Sequence, residues 1–168
     1  VDYRQQNIIL AIDPGYDRCG AAIISTAEHA VVLHSWCITT DKKTSHADRL
    51  AVIFKNIEAA IIEYKPTAIA LETLFFSVNK KTVMAVAEAR GVIVVLAGLH
   101  AIPLIELSPQ AVKLAMTGSG NADKVSVQKM VALTLKVDVS KKLDDEVDAI
   151  ALGMAAAGEI KLQQAIAK

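Results

Sequence analysis

Four acidic residues stand where their neighbours would let them do chemistry. Asp13 follows the apolar run 8–12 (IILAI) and precedes Pro14-Gly15. Glu72 closes a second apolar run, 67–71 (TAIAL). Asp145 and Asp148 belong to the acidic stretch 144–148 (DDEVD) that opens an apolar segment. A short continuous apolar run bounded by turn residues reads as a strand buried on both faces. A charge at the lip of such a strand is where α/β folds place chemistry. Asp145 and Asp148 are three apart, so a helix presents them on one face. Asp144 reads as a plain N-cap, and acids are favoured in a first helical turn. Asp148 lies deeper, beside Ala149, Ile150 and Ala151, where an aspartate costs helix propensity and needs a partner if buried. Taken alone, Asp13 would also suit an ordinary Asp-Pro-Gly turn. The set of four carries the argument.

If the first and fourth strands lie side by side, the four carboxylates meet. Like charges about 4 Å apart cost roughly 4 kcal/mol per pair at a surface-like effective dielectric. Divalent cations would neutralise such a cluster, and oxygen ligands without His or Cys suit Mg²⁺ or Mn²⁺. Two ions about 3.5–4 Å apart can activate a water and stabilise the leaving oxygen of a phosphodiester. The residues therefore describe a candidate two-metal phosphoryl-transfer site.

The elements that must position these groups are legible in the periodicity. Residues 19–25 (CGAAIIS) and 30–39 (AVVLHSWCIT) read as strands joined by a connection of hairpin length, which makes the first three strands an antiparallel meander. From 46 to 64 the period changes: Leu50, Ile53, Phe54, Ile57, Ala60 and Ile61 recur at three and four, one face of an amphipathic helix ended by Lys65-Pro66. The strand 67–71 follows, then a loop 73–79 with adjacent Phe75 and Phe76. A helix over 80–99 is rich in small residues and apolar around much of its circumference, so either the domain or a partner covers it. A strand at 103–107 leads to Ser108-Pro109, an N-cap with proline at the first helical position. A short helix to Met116, a glycine-rich loop (TGSGN), a helix over 123–137 and a last helix from Asp144 to about 167 complete the chain. The order β-β-β-α-β-α-β-α-α-α gives an α/β fold: a mixed five-stranded sheet, three antiparallel strands then alternating α and β, with helices on both faces.

Composition bounds the rest. A chain of 168 residues at 53% hydrophobic is most simply one domain, 1–168, with a real core. The longest apolar stretch, 92–99, is too short to span a bilayer. The polar start VDYRQQ carries no signal-peptide pattern, and Cys19 and Cys37 read as small buried residues rather than a disulfide or a metal pair. These features suggest a soluble cytoplasmic protein. Basic and acidic residues balance at 18 each, which does not advertise a nucleic-acid binder. Distribution matters more: Lys80, Lys81, Lys113, Lys124, Lys129, Lys141 and Lys142 crowd the second half. His29, His34, His46 and His100 show no ligand spacing.

The motifs ILAIDPG with Cys19-Gly20 behind it, IALETLFF, EARGV, Val112-Lys113 through GSGNADK, VQKMV and DDEVDAIALG stand in one order over residues 7 to about 153. In these the chain resembles the RuvC family of Holliday-junction resolvases. The resemblance implies a ribonuclease-H-like fold and a homodimer that nicks two strands of a four-way DNA junction symmetrically, in recombination and repair. It implies that Asp13, Glu72, Asp145 and Asp148 hold two metal ions, that Asp13 bridges them, and that an activated water attacks phosphorus in line to leave 5′-phosphate and 3′-hydroxyl ends. Family members carry Asp or His at the position of Asp145, so the resemblance leaves open whether that residue is ligand or base. It further implies that Phe75 inserts near the junction bases and that Lys113 and Lys124 approach the scissile phosphate. Lys80 and Lys81, from the distribution of basic residues, are further candidate DNA contacts. The resemblance places the 80–99 helix in a dimer interface and suggests delivery by a branch-migration helicase complex. Tyr16 departs from the pattern, standing where a small residue, commonly Ser, is usual.

Three other readings remain at this level. A catalytically silent junction-binding dimer would have no need to gather acid beside phosphate. Sugar kinases and actin use a similar first-strand Asp, but in larger two-part chains. A ribonuclease-H-like nuclease on another substrate, such as an RNA–DNA hybrid, would differ in what it cuts.

Overall fold

A computed structural model describes residues 7–26, 29–73, 80–135 and 138–166, without the side chains of 80–82, 135, 164 and 166. The strands are β1 (Ile8–Asp13), β2 (Arg18–Ser25), β3 (Val31–Thr39), β4 (Ala68–Glu72) and β5 (Leu104–Leu107). The helices are α1 (His46–Tyr64), α2 (Lys80–Leu99), α3 (Pro109–Thr117), α4 (Lys124–Leu135) and α5 (Asp144–Ile166). The strands form one sheet in the order β3-β2-β1-β4-β5. β1 and β3 run antiparallel to β2, whereas β4 runs parallel to β1 and β5 parallel to β4. The expected mixed sheet is therefore present, with β1 and β4 adjacent.

β1 is apolar at every position because both of its faces are covered. Ile8, Leu10 and Ile12 join one core with Ile53, Ile57, Ile93 and Leu96 of α1 and α2. Ile9 and Ala11 join a second core with Val112, Val131, Ile150 and Ala156 of α3, α4 and α5. Strand side chains alternate faces. Asp13 continues the series Ile9–Ala11 and therefore shares the α5 face. In β4, Ile69 and Leu71 lie in the first core and Ala70 in the second. By the same parity Glu72 also shares the α5 face.

Local signals set the helix ends. Ser45 caps α1 by accepting from the Asp48 N–H, and Lys65 ends it in a left-handed conformation (φ 48°) just before Pro66. Ser108 caps α3, Pro109 sits in its first turn, and Gly118 (φ 78°) closes it. One local expectation is corrected. Asp144 is not the N-cap of α5: the Leu143 carbonyl accepts from the N–H groups of Glu146 and Val147, which makes Asp144 the first helical residue. Its carboxylate turns instead to Gln128 Nε2 at 3.2 Å.

α5 lies against β1 and β2 so closely that two glycines are required. A Cβ on Gly20 would fall 1.8 Å from the Asp145 carbonyl oxygen, and one on Gly153 would fall 2.5 Å from Ile24 Cγ1. The first of these contacts is backbone on backbone and cannot relax by turning a side chain. Gly20→Ala should therefore push the start of α5 off the sheet and cost about 2–4 kcal/mol, as overpacking does. Urea unfolding of the variant checks this: the midpoint should fall while α2, on the other face, keeps its amide-exchange protection relative to the global opening.

Candidate active site

The parallel pairing of β1 and β4 runs from Ile9↔Ala68 to Ile12↔Leu71. Asp13 and Glu72 therefore leave neighbouring strands at the same end and on the same face. α5 crosses that face with its N-terminal turn over Gly20, the antiparallel partner of Asp13. This brings Asp145 and Asp148 to the two strand-end acids. The electrostatics reflect the convergence. Burial, then the negative charges of Glu72, Asp148 and Asp145, push the Asp13 carboxyl up to about 8. Burial and Asp148 raise Glu72, with Lys124 pulling the other way. Burial raises Asp148 as well, against the pull of its ion pair with Lys124.

A cavity of about 260 Å³ opens on this cluster, lined by Asp13, Glu72 and Asp148 together with Lys113 and Lys124. Val112, Val127 and Leu152 supply apolar wall. Both lysines singled out in the sequence therefore reach the site. Lys124 Nζ lies 2.8 Å from Asp148 Oδ2 and 3.5 Å from Asp144 Oδ2. Burial works against its ammonium, but these pairs outweigh that and raise its pKa. Asp145 points to the other side of the cluster, where Arg18 Nε lies 2.9 Å from Oδ2. That contact lacks the direction of a hydrogen bond, and Oδ2 is buried with no hydrogen-bond partner.

The donor set suits a hard divalent cation. It is all carboxylate oxygen, burial and then the neighbouring acids push the carboxyl of its central member up to about 8, and one buried oxygen lacks a donor. Among the described residues no three acidic, His or Cys side chains close into a ready-made ion cage. Lys124 and Arg18 hold two of the four carboxylates in ion pairs, so the cation must compete with them.

Residues that the sequence did not single out support the site. Glu146, between the two aspartates of α5, faces away from the cavity. It is buried, accepting 2.6 Å hydrogen bonds from Ser35 Oγ and from Lys142 Nζ. Burial alone would raise its carboxyl, but these bonds hold it below the usual range. This link ties the start of α5 to β3. Tyr16 donates to or accepts from His46 Nδ1 at 2.7 Å, and His46 Nε2 reaches Glu88 of α2 at 2.8 Å. The Arg49 guanidinium lies 3.7 Å over the Tyr16 ring. The turn after Asp13 is thus braced against α1 and α2. Apart from Lys142 and Glu146, which stand four residues apart, these partners are separated by 30 to 111 residues, which leaves no local pattern to find. Cys19 is buried and Cys37 half-buried, both as free thiols. Phe75 lies outside the described residues, as do the side chains of Lys80 and Lys81.

A five-stranded sheet of this order, with carboxylates gathered at the end of its central parallel pair, defines a ribonuclease-H-like nuclease. The chain belongs to the RuvC family, whose model, crossover junction endodeoxyribonuclease RuvC, matches residues 9–156. That family consists of metal-dependent nucleases. The chain is 40% identical over 155 residues to the crossover junction endodeoxyribonuclease RuvC of Thermosipho melanesiensis, covering 91% of this chain and 98% of that one. It is 40% identical to that of Brachyspira hyodysenteriae, covering 92% and 96%. The structure of Thermus thermophilus RuvC in complex with a Holliday junction substrate superposes with a TM-score of 0.87 at 25% identity, over 93% of this chain and 96% of that one.

The raised Asp13 pKa has a consequence for stability. An unfolded aspartate titrates near 3.8, so the folded form binds its proton more tightly. The stability this confers is complete below about 4 and is lost as the pH rises through about 8. The metal-free protein should melt at a lower temperature at pH 9 than at pH 6. Saturating Mg²⁺ should raise the melting temperature more at pH 9, where no proton must be displaced. Equal Mg²⁺ shifts at both pH values would contradict the account.

Proposed function

We propose that this chain is a Holliday-junction resolvase: as a homodimer it cuts four-way DNA junctions with paired symmetric nicks. The observation that carries the reading is the cavity that sets Asp13, Glu72 and Asp148 against Lys113 and Lys124. Acid for cations and ammonium for phosphate line one opening. The family match supplies the substrate class.

Asp13, Glu72, Asp145 and Asp148 would hold two divalent cations, Mg²⁺ or in its place Mn²⁺. When bound, such ions supply Lewis-acid activation of a water and stabilisation of the leaving oxygen. The chain's own residues do the rest. Asp13, at the shared end of β1 and β4, would serve both ions, as the family resemblance implies. With Asp148 taken up by a cation, Lys124 would be free to bind a phosphate oxygen, and Lys113 of α3 would bind a second one. Such contacts make affinity fall steeply with salt. The apolar walls Val112, Val127 and Leu152 limit water at the reacting phosphate. We assign Phe75 to the unpaired bases at the crossover on family resemblance, and Lys80 and Lys81 to the DNA backbone on their charge. The homodimer is supported by the outer face of α2, where Met84, Val95 and Leu99 are exposed and Gly91 and Gly98 face open space. Among the described residues no helix is long and apolar enough to cross a membrane. Action in the cytoplasm, with a branch-migration helicase complex delivering the junction, completes the reading.

The test is cleavage of a synthetic mobile four-way junction in Mg²⁺, resolved on a denaturing gel. The wild-type chain should give paired symmetric cuts. Asp13→Asn should lose about 10³-fold or more in rate, since it removes a charge that acts only with the ions bound, while junction binding persists. Tight binding without cuts in either metal would favour a silent binder, and cleavage confined to RNA–DNA hybrids would favour a ribonuclease.

A further inference from the structure

The carboxylate cluster has a second opening. On the Asp145 side lies a groove of about 520 Å³, lined by Tyr16, Arg18, Thr39, Lys42, Val86 and Asp145 among others. None of Lys113, Lys124 or the cavity walls belongs to it. We propose that this groove is a second phosphate subsite for the strand being cut, and that Arg18 is its binding group, released from Asp145 when a divalent cation takes that carboxylate. The inference rests on the junction-cutting reading and extends it to residues outside the cavity.

Several observations converge. Arg18 Nε is 2.9 Å from Asp145 Oδ2 but is not aimed along a hydrogen bond, and its side chain is half exposed. It is an electrostatic placeholder rather than an anchored partner. A cation on Asp145 removes the one ion pair that Arg18 makes among the described residues and leaves a guanidinium facing an open groove. The guanidinium fork matches phosphate oxygens, and Arg is the side chain best suited to that geometry. Lys42 stands in the same groove, largely exposed, 2.8 Å from Asp17. Asp17 already accepts an ion pair from Arg49, so two cations share one carboxylate and positive charge is left over.

The floor of the groove is built before any ligand arrives. Thr40 Oγ1 donates to the Tyr16 carbonyl at 2.7 Å, Arg49 Nη2 donates to the same carbonyl at 3.3 Å, and Arg49 Nε donates to Thr40 Oγ1 at 2.9 Å. A strand whose scissile phosphate sits at Asp13 would then meet Lys113 and Lys124 on one side and Arg18 and Lys42 on the other. Because Arg18 serves Asp145 or phosphate but not both, cation and DNA binding assist each other, and linkage makes the effect reciprocal.

The test measures junction binding by fluorescence anisotropy across a salt series, with wild type, Arg18→Gln, Lys42→Gln and the control Lys55→Gln on the exposed side of α1. Ca²⁺ is the divalent ion, because its long, loose coordination poorly supports the chemistry. In Ca²⁺, Arg18→Gln should lose roughly one unit of salt slope per subunit and about fivefold to tenfold in affinity. With EDTA in place of Ca²⁺ the gap to wild type should shrink, since Arg18 is then occupied. Lys42→Gln, which touches no member of the cluster, should lose a similar slope under both conditions, and Lys55→Gln none. Calorimetry without DNA should show Arg18→Gln binding Mn²⁺ about two- to fivefold more tightly, as loss of an exposed ion-pair competitor predicts. Wild-type slopes and Mn²⁺ affinity in Arg18→Gln, with junction binding intact, would overturn the inference and spare the resolvase reading. A wild-type chain that binds no junction would overturn both.

Discussion

The structure depends on the parallel pairing of β1 with β4. Both strands are covered on two faces, so their register is held by side chains packed above and below. Ile12 pairs with Leu71, and the next residue on each strand is an acid. A slip of one residue would turn Asp13 or Glu72 into the opposite core, among isoleucines. The apolar packing of a buried strand pair therefore fixes the spacing of two charges that repel one another. Their repulsion costs stability in the metal-free protein, and the core on both faces of the sheet supplies it.

α5 brings the other half of the site, and its placement is a matter of close approach. Gly20 lets the first turn of the helix touch β2 backbone to backbone, and Gly153 lets a later turn descend onto Ala11 and Ile24. The hydrogen bonds of Glu146 to Ser35 and Lys142 add a polar tie at the same end. Without a cation the accumulated charge is moderated in two ways: Asp13 holds a proton, and Lys124 and Arg18 pair with Asp148 and Asp145. The site is thus poised between internal countercharges and external ones, and the same basic groups are at hand for phosphate once cations take the acids.

Much of this was legible in the chain. The order of all ten elements follows from periodicity and punctuation: the strands are short runs bounded by turn residues, and the helices are longer segments whose ends are marked by caps, prolines or glycines. The Ser108 cap was legible because a cap is a contact within three residues. The Asp144 cap was misplaced by one residue because the stretch 144–148 offers several acids, any of which the helix dipole would favour. The four acids were named from type and position, and the two lysines of the cavity were singled out by the family resemblance. Glu146 shows the limit of that approach: from DDEVD alone nothing separates it from its neighbours, yet it faces Ser35, whereas Asp148 faces the cavity.

The sequence by itself determined the elements, the acids at two strand ends and one helix start, and the parity that sends Asp13 to the same face as Ile9 and Ala11. These are local properties, written in a period of two or of 3.6 residues. Tertiary structure decided what lies between the elements: that β4 rather than β3 stands beside β1, that the acids divide between a cavity with Lys113 and Lys124 and a groove with Arg18 and Lys42, and that Tyr16 is braced by His46 and Arg49. Those choices depend on contacts between residues far apart in the chain, made by long polar side chains whose direction only the packed backbone settles.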